Sequence, residues 1–175
     1  DMTIQKIQHY NIGDKRTILF WGFWPMEVTV TCPTDVVTID ITVGETTASL
    51  DFTVYSPTED QLQASGHGEG PVPVVLSFDG DNEVYRNAGF AVVEVPAGSG
   101  GDGRSNEYAW GTRTGTFYTL YPYSRNGEGA LKEVSSEMAA AWSATRVIDA
   151  LEMMSDSTLD GAAGIASAVD PGKLA

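Results

Sequence analysis

"VPVVLSFDGDNEVYRNAGFAVVEVP" (72–96) is the stretch on which the fold turns. Its two ends, "VPVVLSF" (72–78) and "GFAVVEVP" (89–96), are near-continuous apolar runs. Such runs mark strands covered on both faces, as in a sheet held between helices. The residues between them, "DGDNEVYRNA" (79–88), have room for a turn and a short helix. Two buried strands joined this way belong to an α/β sheet.

Upstream the pattern changes. "EVTVTC" (27–32), "VVTIDITV" (36–43) and "TASLDFTVYS" (47–56) alternate apolar with polar residues. That alternation places Val37, Ile39, Ile41 and Val43 on one face, and Leu50, Phe52 and Val54 on another. Period-two patterns rich in Val, Ile and Thr predict half-buried antiparallel strands. "PTD" (33–35) and "GE" (44–45) read as their turns. "PTEDQLQASGHGEGP" (57–71) is polar and glycine-rich and reads as a surface loop, with His67 solvated between glycines.

Downstream, "AGSGGDGRSNEYAWGTRTG" (97–115) reads as a long irregular loop whose glycines match no phosphate-binding spacing. "VSSEMAAAWSATRVIDALEMM" (134–154) is a helix by its three-and-four periodicity. Its predicted apolar face is Val134, Met138, Ala141, Trp142, Thr145, Ile148 and Leu151, with Trp142 and Met138 in the core. Ser135 or Ser136 caps it, and Glu137 suits the positive end of its dipole. "SDSTLDGAAGIASAVDPGKLA" (155–175) reads as a connection in which "VDPGKLA" turns the chain into a further strand.

Composition narrows the classes. The 175 residues, 42% hydrophobic and 19% charged, describe a globular chain able to build a core. The net charge of −14 argues against nucleic acid and anionic membrane surfaces as partners, because too little positive charge is present to displace phosphate counterions. The longest apolar stretches, such as "ILFWGFWPM" (18–26), fall short of the roughly 18 residues that a spanning helix needs. A start at Asp1, with no secretory leader, suggests a processed or trimmed chain. Cys32 is the single cysteine, so it is a buried thiol or pairs outside these residues.

"GPVPVVLSFDG" (70–80), "AGFAVVEVP" (88–96), "GTFYTLYPY" (115–123), "GALKEVSSEMAAAWSATRVIDALE" (129–152) and "VDPGKLA" (169–175), in this order, resemble the N-terminal half of the glucuronoyl esterases. These are carbohydrate esterases with an α/β-hydrolase fold. The resemblance runs over roughly residues 70–175 and more faintly over the strands before them. It implies an α/β fold: the N-terminal part of an α/β-hydrolase three-layer sandwich, with antiparallel leading strands, central strands and a covering helix. Residues 1–175 would then be one portion of a single catalytic domain, with 1–56 the β region and 72–175 the central strands, loop and helix.

The same resemblance implies a serine esterase that cleaves the ester between xylan glucuronic acid and lignin alcohols. In the family, a segment like "VDPGKLA" is followed by the nucleophile strand and a G-x-S-R-N-G-K elbow. The catalytic serine, and the acid and histidine after it, are therefore expected beyond Ala175, in the C-terminal half of the same domain. Secretion follows from the resemblance too. No residue of this chain is assigned a catalytic, cofactor-binding or metal-ligating role, and the reaction needs no cofactor.

Ser124 competes with that expectation. "SRNGEGA" (124–130) repeats the family elbow with Glu128 in place of lysine, and "TFYTLY" (116–121) offers an incoming strand. A nucleophile elbow is a strained turn that needs very small neighbours, and here position 122 is proline. The segment also falls before the "AWSATRVIDALE" helix, not after it, and neither His9 nor His67 follows Ser124. Ser124 reads as a loop residue.

Other groupings are weaker. Asp79, Asp81 and Glu83 alternate as in a calcium loop, but Val84 stands where the glycine belongs. Asp149 and Glu152 read as surface partners of Arg146. Tyr118, Tyr121, Tyr123 and Trp110 are candidates to border a sugar, with packing the favoured reading. Gly80 and its neighbours, after the first buried strand, are expected to border the oxyanion site. Two other functions compete: an acetyl or feruloyl esterase on the same fold, which the sequence leaves open, and a non-catalytic carbohydrate-binding β module, against which the buried runs at 72–78 and 89–96 and the amphipathic helix argue.

Overall fold

The computed structural model describes residues 1–20, 24–67, 71–78, 80–95, 115–121, 136–155 and 169–174. In chain order its strands are β1 (Met2–Tyr10), β2 (Lys15–Phe20), β3 (Trp24–Thr29), β4 (Thr34–Val43), β5 (Thr46–Tyr55), β6 (Val72–Ser77), β7 (Ala91–Glu94) and β8 (Val169–Leu174). Its helices are α1 (Glu59–Ser65), α2 (Glu83–Asn87), α3 (Thr116–Leu120) and α4 (Ser136–Ser155).

Among the described residues six strands form one mixed sheet in the order β1-β4-β5-β7-β6-β8, and β2 and β3 form a separate hairpin sheet. The first half is antiparallel, from β1 through β4 and β5 to β7. The second half is parallel: β6 lies between β7 and β8 and runs with both. This mixed α/β sheet leaves no place for the all-β module.

The alternation in β4 and β5 has its predicted consequence. Val37, Ile39, Ile41, Leu50, Phe52 and Val54 are buried in one cluster with Val72, Val74, Ala91 and Val93. Val147, Ala150, Leu151 and Met154 of α4 close that cluster from above. Successive strand residues point to opposite faces, and Val92 is fully buried as well. β7 is therefore covered on both sides, as its continuous apolar run requires.

Several expectations are corrected. Residues 57–71 are not all loop, because Glu59–Ser65 is helical. Thr58 and Gln61 form a capping box, and Gly66 ends the helix with a left-handed φ of 81°. "PTD" is not wholly a turn, since β4 already begins at Thr34. "TFYTLY" is not a strand, because Thr116–Leu120 is the short helix α3. "VDPGKLA" does not merely lead into a strand: Val169–Leu174 is strand β8 itself. An irregularity in its pairing with β6 lies between Pro73 and Val74, where Pro171, Gly172 and Lys173 fall between the paired Asp170 and Leu174.

The apolar face of α4 is rotated from the predicted one. Ala139, Ser143, Val147, Ala150, Leu151 and Met154 are buried, whereas Met138 is 62% exposed and Ala141 and Thr145 are exposed. Small residues at 139 and 143 let the helix approach closely, and the Ser143 hydroxyl is satisfied by donating 3.0 Å to the Ala139 carbonyl. Bulk at one position did not outweigh that close fit. Trp142 is half-buried, against Phe117 and Tyr121. The loop expected at 97–115 lies almost wholly outside the described residues, as do the helix cap at Ser135 and the segment 156–168.

Candidate functional site

In an open α/β sheet the ligand crevice lies beyond the carboxyl ends of the parallel strands, where the chain reverses its direction of travel across the sheet. Here that point is β6. From β6 the chain passes through α2 to β7 on one side, then returns past β6 to β8 on the other. The residues that leave the carboxyl end of β6, Phe78, Gly80 and Asp81, therefore form the lip of the candidate site.

Gly80 has φ +85°, the left-handed region that favours glycine. A Cβ there would lie 3.7 Å from Oε1 of Glu94, the last residue of β7. On the other carboxylate oxygen, Glu94 accepts a 2.8 Å hydrogen bond from the Tyr55 hydroxyl. The Tyr55 oxygen accepts one of 3.0 Å from Nη2 of Arg16 on β2. The Arg16 guanidinium also lies 5.6 Å from the Tyr55 ring centroid. Burial, and next the Glu94 charge, push the Tyr55 phenol far above its ordinary value, so it stays protonated and donates.

Register explains how the hairpin reaches this point. Directly paired strand residues share a face, so Tyr55, opposite Val92, is on the side of the sheet away from the α4 cluster. The β2–β3 hairpin sits on that side, and Arg16, paired with Val28, points inward. Between hairpin and sheet lies a cleft of about 340 Å³, part of it open to solvent. Arg16, Thr29, Thr34, Tyr55 and Asp81 supply polar lining, and Cys32 lies among them.

Asp81 is held firmly. Its two oxygens accept from Nε and Nη2 of Arg86, at 2.8 and 2.9 Å. Arg86 is 5% exposed, and its Nη1 reaches Gln61 Oε1 of α1 at 3.5 Å. This pair braces the far side of the lip. Asp81 therefore serves as an ion-pair partner, and no set of three or more His, Cys, Asp or Glu side chains placed to hold a metal ion occurs among the described residues. Asp79 lies outside them.

The remaining candidates fall elsewhere. Cys32 is a buried free thiol beside the Thr34 hydroxyl, and burial pushes its pKa up, which disfavours the reactive thiolate. Tyr118 and Tyr121 pack against Phe117 and Trp142, so packing accounts for both, whereas Tyr123 and Trp110 lie outside the described residues. Arg146 and Asp149 form a 2.7 Å surface pair. Ser124 lies outside the described residues, and the segment before it is helical, not the strand its elbow reading required. His67 is exposed at the end of α1.

His9, which the sequence excludes only as a partner for Ser124, has a partner of its own. Its Nδ1 lies 2.7 Å from Oδ1 of the buried Asp35, directly opposite on β4. The Asp35 hydrogen bond raises the His9 pKa, and burial raises that of Asp35 against the pull of His9. The pair has the outline of an acid–histidine dyad, but its Nε2 faces the Asn11 amide oxygen at 3.1 Å and no hydroxyl or thiol. It ties β1 to β4.

The mixed sheet with helices defines an α/β protein, with the candidate site at the carboxyl end of its switch strand β6. The family model for glucuronyl esterase, fungi, matches residues 39–175, and the chain belongs to that family of carboxylic ester hydrolases. The chain is similar in structure to a carbohydrate esterase family 15 glucuronoyl esterase from Caldicellulosiruptor kristjansonii, with a TM-score of 0.53 and 27% identity over 79% of this chain. It spans 34% of that esterase's length. No curated protein matches the sequence. No helix among the described residues is long and apolar enough to cross a membrane.

Proposed function

We propose that this chain is the N-terminal portion of a single α/β-hydrolase domain, a secreted glucuronoyl esterase whose catalytic serine follows β8. The substrate is the ester joining xylan glucuronic acid to lignin alcohols. A serine, activated by a histidine that removes its proton, attacks the ester carbonyl and releases the alcohol. Water then hydrolyses the acyl-enzyme. The Gly80 turn borders the site that holds the oxyanion.

One observation carries the reading. β8 is parallel to β6, with Leu174 opposite Val74, so the two strands point the same way. β6 continues only three residues past Val74, to Ser77, before its chain turns at the lip. A strand extended by a few residues at about 3.3 Å each would deliver a nucleophile beside Gly80. The helical "TFYTL" and the proline at 122 support Ser124 as a bystander.

A serine-directed fluorophosphonate tests this. The full-length protein should hydrolyse a methyl ester of glucuronic acid and be labelled at a serine beyond residue 175. Label on Ser124, or faster release of acetyl or feruloyl groups than of methanol from the glucuronate, would overturn the reading. Gly80→Val should abolish most turnover, because the residue would have to leave its left-handed conformation.

A further inference from the structure

We propose that Arg16, Tyr55 and Glu94 form one positioning relay through which the β2–β3 hairpin braces the Gly80 turn. The proposal rests on the reading of that turn as the border of the oxyanion site.

The geometry runs in one line. Glu94 is level with Ser77 across the parallel pair, and the Val95 N–H donates 2.8 Å to the Ser77 carbonyl, so the Glu94 backbone is locked to the strand from which the turn departs. Its Oε2 is held by Tyr55 and its Oε1 faces Gly80. Gly80 has no side chain with which to anchor itself. The turn is instead flanked on two sides, by the Glu94 carboxylate, which fills the space a side chain at Gly80 would point toward, and by the Asp81–Arg86 pair. The Asp81–Arg86 contact spans five residues. The Arg16–Tyr55 and Tyr55–Glu94 contacts each span 39, so the relay is the flank of the turn that depends on tertiary structure.

Charge gives the relay a second task. A carboxylate beside a site that must stabilise a developing oxyanion opposes catalysis unless its charge is offset nearby. Arg16 supplies that offset through the protonated Tyr55, which donates to Glu94 and accepts from the guanidinium. Tyr55 and Glu94 lie within the family-matched residues 39–175, whereas Arg16 lies outside them. The hairpin thus bears on the site from outside the family-matched residues without touching substrate.

The test is steady-state kinetics of the full-length enzyme on methyl glucuronate, with Gly80→Val as a control. Tyr55→Phe should lower kcat about tenfold and Arg16→Ala about three- to tenfold, each leaving KM within about twofold, the split expected of lost transition-state support. The double variant should be no slower than Tyr55→Phe alone, because residues in one chain are not additive. Arg16 lies on the hairpin outside the main cluster, so its variant folds even where loss of the Tyr55 hydroxyl destabilises the interior. If Gly80→Val is inactive while Arg16→Ala and Tyr55→Phe both keep full kcat, the relay is wrong and the site reading stands. Raised KM with unchanged kcat in Arg16→Ala also overturns the relay, since it would mean substrate contact. Full activity of Gly80→Val removes the site reading, and the relay with it.

Discussion

Replacing Asp81 by alanine isolates what the lip of the site depends on. Asp81 accepts two charge-assisted hydrogen bonds from Arg86, whose side chain is 6% exposed against 27% for Asp81. Each such bond contributes about 1.5–3 kcal/mol, and breaking a buried pair by removing one partner costs about 3–5 kcal/mol. Water reaches Asp81 and will partly solvate what is left, so the expected loss is at the lower end, about 3 kcal/mol. In Asp81→Ala the guanidinium would retain the 3.5 Å contact with Gln61. In the full-length protein the melting temperature should fall with stability, by fewer degrees per kcal/mol the larger the cooperative unit. Urea unfolding followed by circular dichroism measures the change directly, with an unchanged slope confirming that stability alone has moved. A second substitution, Arg86→Met in the Asp81→Ala background, removes the uncompensated charge and should restore at least about half of the loss. A loss below about 1 kcal/mol in Asp81→Ala, or a double variant less stable than the single one, would refute the buried-pair account.

The rotated face of α4 predicts that Leu151→Ala costs about 2–5 kcal/mol, whereas Met138→Ala stays within about 0.5 kcal/mol; comparable losses in denaturant titrations would return the face to its sequence-predicted position. Gly89 and Gly13 both have left-handed φ, but a Cβ on Gly89 would collide with Ser65 and His67, whereas one on Gly13 meets nothing. Thermal melts should therefore show Gly13→Ala losing only about 1 kcal/mol of backbone strain and Gly89→Ala clearly more. His9 has a raised pKa, chiefly through its Asp35 hydrogen bond, so its contribution to stability is complete below about pH 6.5 and is lost as pH rises through the folded value. With the ring 45% exposed, that contribution is below about 1 kcal/mol. His9→Gln should flatten the fall in stability as pH rises above about 6.5, and an identical slope in the variant would count against the pairing.

Periodicity was legible in the sequence wherever the backbone itself sets the spacing. The alternation in 36–43 and 47–56 predicted β4 and β5, and the continuous runs at 72–78 and 89–96 predicted β6 and β7 with a short helix between them, although β6 is buried only over its first three residues and Phe78 is exposed. β1 escaped notice because a register shift between Ile4 and Lys6 breaks its alternation, moving the apolar position from Ile4 to Ile7. α1 was hidden by its polar composition, although the Thr58–Gln61 box and Gly66 were signals in plain view. α4 was recognised as a helix, but its buried face was not, because choosing among several apolar stripes depends on how closely the sheet can approach.

The family was legible in the segments from "GPVPVVLSFDG" to "VDPGKLA", whose order is a property of sequence alone. The surroundings of Gly80 were not. That Glu94 lies behind the turn, that Tyr55 links it to Arg16, and that Arg86 clasps Asp81 are meetings of polar groups across strand registers and the hairpin packed on them. Local preference is written residue by residue in φ, ψ and side-chain period. Which charge meets which hydroxyl is settled only when the sheet closes and burial makes an unpaired polar group costly.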